Sequence, residues 1–420
     1  MTSVQVTKLS NGMKVATDRI DGVESAALGV WVGTGARAET KETNGVAHLL
    51  EHMAFKGTAR RTASGIASEI EAVGGHLNAY TSREVTAYYA RTLKEDAPLA
   101  LDILADILLN STFDATELDR ERDVILQEIG QANDTPEDVA HDAFQLAAYP
   151  DQPVGRPILG APEIIRTIPR EAVVDYMAGR YKPGAMVLSA AGAVDHDAFV
   201  RMAEQLFGAM TPGDQPTPEP ATYLGGEQRI SKKSEQAHIF FGLPGPEFGA
   251  DDYYAGHVFS ALYGGGMSSR LFQEIREKRG LCYSIYSFMS AMTDSGMFGV
   301  YAGTDAAQAG LALELSIDEL KSVADKAGDD ETDRAKAQLR ASLLMSREST
   351  SMRAEQLAQH LIIHGRPLPP EEVRERVDAV DAAAVSAMAA KALAGPATLA
   401  LVGPVRKVPA LAKLQARMAA

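Results

Sequence analysis

The chain has 420 residues, more than one ordinary hydrophobic core accommodates, so two or more domains are expected. Hydrophobic residues make up 45% of the sequence and charged residues 23%, which is typical of a globular protein. The 56 acidic residues outnumber the 41 basic ones and give a net charge of −15. This surplus disfavours nucleic-acid binding, because phosphate groups require a basic surface.

The sequence predicts neither a disulfide nor a membrane span. Cys282 is the only cysteine, so no intrachain disulfide can form, which fits a reducing compartment. Residues 1–20 alternate like a strand and lack the apolar segment of a secretion signal. No run of about 18 apolar residues indicates a transmembrane helix. We therefore expect a cytoplasmic protein without a membrane span.

The first half of the chain is predicted to mix strands and helices. A hairpin is expected over residues 4–17, with Asn11 and Gly12 in its turn. The pattern then predicts, in chain order, a strand at 26–32, helices near 48–55 and 62–73, two short strands within 76–91, helices at 96–109, 114–133 and 169–181, and a strand at 185–193. Because strands and helices do not strictly alternate, the fold class is predicted to be α+β.

A linker is predicted at residues 208–226, which contain four prolines and four glycines. It would divide the chain into domains of residues 1–207 and 227–420. The second half is predicted to hold a strand at 238–242, helices at 252–263 and 272–278, strands at 282–289 and 297–303, and long helices toward residue 361. This order resembles that of residues 32–91, so an internal duplication is predicted.

The segment His48-Leu49-Leu50-Glu51-His52 carries the strongest chemical signal. Its two histidines and glutamate share one face if the segment is helical, with Thr43 or Asn44 as the predicted cap. Two imidazoles on adjacent turns can bind one metal ion, and HxxEH inverts the HExxH zinc signature. The pattern also arises by chance in helices, but burying these side chains is costly without a partner. A catalytic zinc site needs a third, distant ligand.

The chain resembles the M16 metallopeptidases, particularly the subfamily of mitochondrial processing peptidase β subunits and their bacterial homologues. The resemblance covers nearly the full length and rests on the segments HLLEHMAFKGT at 48–58, GGHLNAYTSRE at 74–84, ERDVILQEI at 121–129, GRPILG at 155–160 and GGGMSSRLFQEIREKRGLCYS at 264–284. It implies two homologous α/β-roll domains of the LuxS/metallohydrolase-like type, α+β in class, that form half of a clamshell. The second domain would lack a zinc site and contribute residues that bind substrate.

The resemblance also implies a role for each residue of the zinc site. His48 and His52 would bind one zinc ion, with Glu128, 76 positions after His52, as the third ligand. Glu51 would be the general base that takes a proton from water and passes it to the leaving amine. Glu121 would support the site from outside the ligand set. Without the resemblance, Glu121 and Glu128 would be interpreted as solvated charges on a helix.

Further residues are implied to bind substrate. Asn78, Ala79 and Tyr80 resemble an edge strand that pairs with the peptide backbone, although an ordinary strand fits them equally. Arg276 and Tyr283 match a pair that the family's second half directs toward the active site, where the tyrosine would stabilise the oxyanion and the arginine would anchor the substrate backbone. Taken alone, Arg276 would be a surface charge on a helix and Tyr283 a core residue of a strand.

Asp138 and Asp142 lie one helical turn apart, at a spacing that processing peptidases use to bind an arginine near the cleaved bond. The first member is Asp where the family has Glu, so its reach is shorter by one methylene. A simple exposed acidic pair is the open alternative.

These observations predict a zinc-dependent endopeptidase that cleaves extended peptides. Whether the substrate has a basic residue near the cleaved bond is left open. A homodimer is expected, and a heterodimer with an inactive homologue is the alternative. The rival function is a non-catalytic structural subunit of the same family.

Overall fold

A computed structural model describes residues 4–420. The strands are β1 Val4–Lys8, β2 Lys14–Arg19, β3 Ser25–Val32, β4 His76–Thr81, β5 Thr86–Leu93, β6 Met186–Gly192, β7 Gly226–Ser231, β8 Gln236–Pro244, β9 Cys282–Ala291, β10 Gly296–Asp305 and β11 Thr398–Gly403.

The α-helices are α1 Val46–Ala54, α2 Ala63–Ala72, α3 Ala97–Leu109, α4 Ala115–Asp134, α5 Pro136–Ala148, α6 Pro162–Ile165, α7 Arg170–Arg180, α8 His196–Phe207, α9 Tyr253–Gly264, α10 Ala309–Asp325, α11 Asp329–Ser346, α12 Thr350–Ile363, α13 Pro370–Asp378, α14 Ala382–Leu393 and α15 Leu411–Ala419. Short 3₁₀ turns occur at Ala36–Ala38, Lys94–Asp96, Pro153–Gly155 and Pro183–Ala185, and a π-helical turn at Phe272–Glu277. Within residues 4–420, none of these helices combines the length and the apolar character that crossing a membrane requires.

The chain forms two compact units, and each is discontinuous in sequence. Unit 1 consists of the residues up to Ile129, Arg156–Glu219 and Leu344–Pro369, and unit 2 of Gly130–Gly155, Pro220–Leu343 and Pro370–Ala420. The first unit therefore includes α12, and the second includes α5. The boundary between Glu219 and Pro220 falls inside the predicted linker, where residues 211–225 have no regular secondary structure. The linear division into residues 1–207 and 227–420 stays a prediction.

Unit 1 contains a six-stranded sheet in the order β1-β2-β6-β3-β5-β4. The β2–β6 pair is parallel and the other neighbours are antiparallel, which confirms the predicted hairpin of β1 and β2. Helices α1 and α3 contact one side of the sheet through β3, β4 and β5, and α12 contacts β2, β3 and β6. Since both faces of β3 are covered, nearly all of its residues are buried, with Leu28 and Val30 in one core cluster and Ala27 and Trp31 in another.

Unit 2 contains a five-stranded sheet in the order β7-β11-β8-β10-β9. Its β7–β11 pair is parallel and its other pairs are antiparallel. If the five strands are counted in chain order, they lie across the sheet in the order first, fifth, second, fourth, third. Strands β2 to β6 of unit 1 lie in the same order across their sheet. The two units thus share one topology, and this is the relation that a duplication predicts.

Helix α1 begins differently from the prediction, because neither Thr43 nor Asn44 caps it. Gly45 is the N-cap residue, with a φ of 98°, and a Cβ there would come within 2.5 Å of Ile165 Cδ1. The carboxylate of Glu39 instead accepts hydrogen bonds from the Gly45 and Ala47 amides at 2.8 and 2.9 Å, and from Asn44 Nδ2 at 2.8 Å. The cap therefore comes from a residue that precedes the helix by several positions and that local cap rules do not find.

The segment that follows α1 is held by a buried carboxylate on α3. Asp106 is fully buried and accepts hydrogen bonds from the Thr58 hydroxyl at 2.7 Å, from Arg60 Nε at 3.0 Å and from Arg61 Nη1 at 2.9 Å. Asn110 Nδ2 adds a fourth at 2.9 Å. Both ends of the short helix are thus tied to other parts of unit 1.

Replacing Glu39 by Gln tests the cap through the pH dependence of stability. Burial outweighs the hydrogen bonds to the carboxylate and raises the pKa of Glu39 from 4.5 to about 7. Because the folded-state pKa lies above the unfolded-state value, the contribution of Glu39 to stability is present below pH 4.5 and lost as pH rises through 7. The free energy of unfolding of wild type relative to E39Q should fall by on the order of 3 kcal/mol between pH 5 and 8.

Urea denaturation of the metal-free chain at several pH values measures this difference. The control is Glu42→Gln, an exposed residue whose pKa is lowered, so it does not titrate in that window. A wild-type minus E39Q difference that is flat over this range would contradict the raised pKa of Glu39.

Candidate metal centre

Two helices of unit 1 bring the predicted zinc ligands together. Helix α1 carries His48 and His52 on one face, with ring centroids 4.6 Å apart, and α4 carries Glu128. Glu128 Oε2 lies 3.8 Å from His48 Nε2 and 3.7 Å from His52 Nε2. Within residues 4–420, these three form the one group of His, Cys, Asp or Glu side chains whose donor atoms all lie within 4.8 Å of one another.

This arrangement fits a zinc ion. Zinc–nitrogen and zinc–oxygen bonds of about 2.1 Å place tetrahedral ligands roughly 3.4 Å apart, close to the separations of Glu128 Oε2 from the two imidazole nitrogens. Glu128 Oε2 is itself buried and has no hydrogen-bond partner, an arrangement that is costly unless a cation satisfies it. Three protein ligands leave one position open, as in catalytic rather than structural zinc sites. The cofactor that this site supports is one zinc ion per chain.

Glu121, also on α4, fixes the orientation of His52. The imidazole Nδ1 donates a hydrogen bond to Glu121 Oε2 at 2.9 Å, and Lys56 Nζ lies 2.7 Å from Glu121 Oε1. Because an ionised carboxylate only accepts, Nδ1 must carry the proton and Nε2 presents its lone pair toward Glu128. This is the usual carboxylate–histidine arrangement outside the ligand set of a zinc site.

His48 is held in its neutral form by burial. Desolvation, together with the neighbouring His52, lowers the pKa of His48 from 6.5 to about 4. Its imidazole is therefore uncharged at neutral pH, as a metal ligand must be. Its Nδ1 atom is buried without a hydrogen-bond partner, so unlike His52 it has no carboxylate behind it.

Glu51 lies on α1 between the two histidines in sequence and is not part of the ligand group. The hydroxyl of Thr81, on β4, donates a hydrogen bond to Glu51 Oε2 at 2.5 Å. Burial raises the pKa of Glu51 despite this bond, and the charge of Glu128 raises it further. Thr81 belongs to a segment that carried the family resemblance, but its contact with Glu51 joins positions 30 apart and has no signal in the spacing.

The predicted substrate strand is β4, which lies at the edge of the unit 1 sheet. Asn78, Ala79 and Tyr80 are all on it, and among the described strands it pairs only with β5. Ala79 packs against the core that contains α1, whereas Tyr80 packs against the core that contains α12. One edge of β4 therefore lacks a neighbouring strand among residues 4–420, and on this strand the Ala79 amide donates a hydrogen bond to Asn78 Oδ1 at 2.9 Å, which an added strand would replace.

Four predicted substrate residues belong to unit 2. The Arg276 guanidinium lies 5.1 Å from the ring centroid of Tyr283, and 76% of Tyr283 is exposed. Asp138 and Asp142 lie on α5, where their spacing of four residues puts them on one face, and Asp138 is exposed. The arginine and tyrosine are thus in contact, and the two aspartates are neighbours on a helix.

The counterpart of α1 in unit 2 has no metal ligands. Helix α9 follows β8 as α1 follows β3, and its one histidine, His257, packs edge-on against Tyr253 with ring centroids 4.6 Å apart. Burial lowers the pKa of the half-buried His257, and its Nε2 atom is buried without a hydrogen-bond partner. Among residues 4–420, the group that could hold a metal ion lies in unit 1.

Comparison with known proteins relates both halves of the chain to one family. Residues 14–162 match the family described as "Insulinase (Peptidase family M16)", and residues 167–339 match "Peptidase M16 inactive domain". The chain is 41% identical over 404 residues to a Rickettsia felis protein described as an uncharacterized zinc protease, covering 95% of this chain and 97% of that protein. It is 38% identical over 395 residues to the mitochondrial-processing peptidase subunit beta of Saccharomyces cerevisiae, covering 90% and 86%.

Solved structures agree on the fold at lower sequence identity. A protease from Helicobacter pylori aligns with a TM-score of 0.88 at 20% identity, covering 96% of this chain and all of that one. A chain of complex III from Candida albicans aligns with a TM-score of 0.89 at 21% identity, covering 99% of both. Taken with the matches of both halves and the identity to zinc proteases over nearly the whole length, these findings place the chain in the M16 family of peptidases.

Proposed function

We propose that this protein is a zinc-dependent endopeptidase that hydrolyses peptide bonds in extended peptides. The observation that carries the proposal is the convergence of His48 Nε2, His52 Nε2 and Glu128 Oε2, with the Glu128 oxygen buried and otherwise without a partner. The names of the relatives support it, since they are described as zinc proteases.

Glu51 is the proposed general base. A zinc ion at this site would acidify a water molecule and polarise the peptide carbonyl. Glu51 would take the proton from the attacking water and pass it to the leaving amine. The Thr81 hydroxyl holds the carboxylate in place without occupying its second oxygen.

We infer that the substrate binds as an added strand along β4. Its backbone would pair with the free edge beside Asn78, Ala79 and Tyr80. This places the peptide next to Thr81 and hence next to Glu51. An extended peptide is required, because a helix or turn cannot form the ladder of hydrogen bonds.

Arg276 and Tyr283, which both belong to unit 2, are proposed to bind the substrate. Tyr283 is exposed, and the guanidinium of the half-buried Arg276 lies 5.1 Å from its ring centroid and 4.6 Å from that of Phe272. The tyrosine hydroxyl would donate to the developing oxyanion and the guanidinium would bind the substrate backbone. Asp138 and Asp142 are proposed to bind a basic residue near the cleaved bond.

Glu51→Gln should abolish hydrolysis while leaving zinc bound. The amide cannot accept a proton, so turnover of a quenched fluorescent peptide with basic residues should fall roughly 10²–10⁴-fold. Zinc content, measured by inductively coupled plasma mass spectrometry, should stay near one ion per chain. Glu71→Gln, an exposed change on α2, is the matched control and should alter neither quantity. Undiminished turnover in E51Q would overturn the assigned base.

The same experiment separates the peptidase from the rival function of a non-catalytic subunit. Wild-type protein that binds zinc but hydrolyses none of a panel of extended peptides would support the structural role. Loss of turnover on removal of zinc with a chelator, and its return on adding zinc, would support the enzyme.

Glu121→Ala should weaken zinc binding about 10–100-fold, because His52 loses the carboxylate that orients its ring. Competition with a chromophoric zinc chelator measures the affinity directly and does not depend on turnover. Glu117→Ala, also on α4 but outside the ligand contacts, should change the affinity less than twofold. Equal zinc affinities for the two variants would show that Glu121 does not position the ligand.

We further propose that the protein acts as a homodimer. One chain carries both the zinc ligands and the Arg276–Tyr283 pair, so two copies need no other subunit. Light scattering should give a mass of twice 44.8 kDa, about 90 kDa. A fully active monomer would contradict the homodimer. A monomer that gains activity only with an inactive homologue would support the heterodimer instead.

A further inference from the structure

A cavity of about 300 Å³ lies in unit 1 against the face of the sheet that α12 covers. Its wall is formed by β3, β4 and β5 on one side and by the start of α12 on the other. The side chains that matter here are those of Trp31, Tyr80, Tyr89, Ser351, Ala354 and Glu355. Its volume is at the lower end of the range for small-ligand sites.

Hydrogen bonds anchor helix α12 to the sheet, so the cavity is already formed without a ligand. Arg353 binds Asp18 of β2 through two hydrogen bonds of 2.6 Å, and Asp18 is buried. The Ser189 hydroxyl, on β6, donates to the Ala354 carbonyl at 2.8 Å. Glu355 directly follows Arg353 and Ala354, so its backbone is held at the rim of the cavity.

Aromatic rings form much of the wall. Trp31 is only 2% exposed, and its Nε1 atom is buried without a hydrogen-bond partner. The rings of Tyr80 and Tyr89 lie with centroids 6.2 Å apart on neighbouring strands. The faces of such rings are electron-rich and attract cations.

The cavity also contains one carboxylate whose charge is not paired. Glu355 Oε1 accepts hydrogen bonds from the Tyr80 hydroxyl at 2.8 Å and from Gln359 Nε2 at 3.2 Å. Both donors are neutral and both use the same oxygen. Across residues 4–420, no lysine, arginine or histidine forms an ion pair with Glu355, and its Oε2 atom accepts no hydrogen bond.

We propose that this cavity binds an alkylammonium or guanidinium group together with its aliphatic carbons. The cationic head would pair with Glu355, and the apolar part would pack on the rings of Trp31, Tyr80 and Tyr89. A neutral apolar ligand would cover the half-buried carboxylate without supplying a cation to pair with it, which is costly. An anion would be repelled by Glu355 and by the net charge of −15.

Two sources can supply this cation: a free small amine, or a lysine or arginine side chain of a bound peptide. The second source rests on the proposed function. Side chains of a strand alternate between the faces of a sheet. A peptide added along β4 would therefore direct alternate side chains to the face of Tyr80 and Glu355, and the intervening ones to the face of Thr81 and Glu51.

The fluorescence of Trp31 provides the test, because it is the only tryptophan in the chain. The zinc-loaded full-length Glu51→Gln protein would be titrated with n-butylammonium chloride and, separately, with neutral n-butanol at equal ionic strength. We expect a saturable change in emission with the ammonium compound at concentrations at least tenfold lower than with the alcohol. Equal responses to the two compounds, or no response to either, would overturn the proposal.

Variants assign the effect to the carboxylate. Glu355→Gln should weaken n-butylammonium binding at least tenfold, and Tyr80→Phe should weaken it less, because the carboxylate remains. Unit 2 offers a matched control in Glu137, which likewise accepts a tyrosine hydroxyl, that of Tyr286 at 3.1 Å. Glu137→Gln should leave the titration unchanged. Unchanged binding in Glu355→Gln, with the fold verified by circular dichroism, would overturn the proposal even if wild type responds.

Peptides distinguish the two sources of the cation. An extended peptide with one lysine and its analogue with norleucine at that position would be titrated into the same Glu51→Gln protein. Tighter binding of the lysine peptide than of n-butylammonium, lost in Glu355→Gln, supports a substrate side chain. A response to n-butylammonium alone supports a free amine. Neither readout requires hydrolysis, so failure here is distinct from failure of the proposed peptidase.

Discussion

The site depends on one carboxylate oxygen placed between two imidazoles. Glu128 Oε2 lies 3.7 and 3.8 Å from the Nε2 atoms of His52 and His48, and it is buried without a hydrogen-bond donor. Both imidazoles come from a helix of only nine residues, which is too short to be stable alone. Its position must therefore be imposed by the surrounding unit, through Glu39 at its start and the Asp106 network after its end.

The hydrogen bonds around the ligands divide the two carboxylates of α4 into different roles. Glu121 and Glu128 lie seven residues apart on the same face of the helix, yet only Glu121 receives donors, from His52 and Lys56. A carboxylate already bonded to an imidazole N–H and an ammonium group is a poor metal ligand. Glu128, with no donor, retains the lone pairs that a cation needs. The two glutamates differ only in where they lie relative to α1, and this position decides which of them can bind the metal.

The sequence predicted those structural features that depend on local spacing or on a sequence motif. The HxxEH face, the hairpin of β1 and β2, and the strands β3, β4 and β5 follow from periodicity over a few residues. The cap by Glu39, the Thr81–Glu51 bond and the placement of α12 in unit 1 were not predicted. Each of these joins residues distant in sequence or replaces a local rule by a tertiary contact. The absence of an HxxEH segment from α9 is a property of the sequence itself, which has only His257 there.

The topology of unit 1 makes β4 the element that connects the candidate metal centre with the cavity beside α12. Thr81 and Tyr80 are consecutive residues of this edge strand, and consecutive side chains of a strand point to opposite faces. Thr81 binds the proposed catalytic base on the α1 face, and Tyr80 binds Glu355 on the α12 face. A ligand strand on the free edge would be bound by its backbone and would present neighbouring side chains to two chemically different surfaces. Under the two proposals, selectivity for a basic residue would arise within unit 1 from the pairing geometry of one strand, in addition to the role proposed for Asp138 and Asp142.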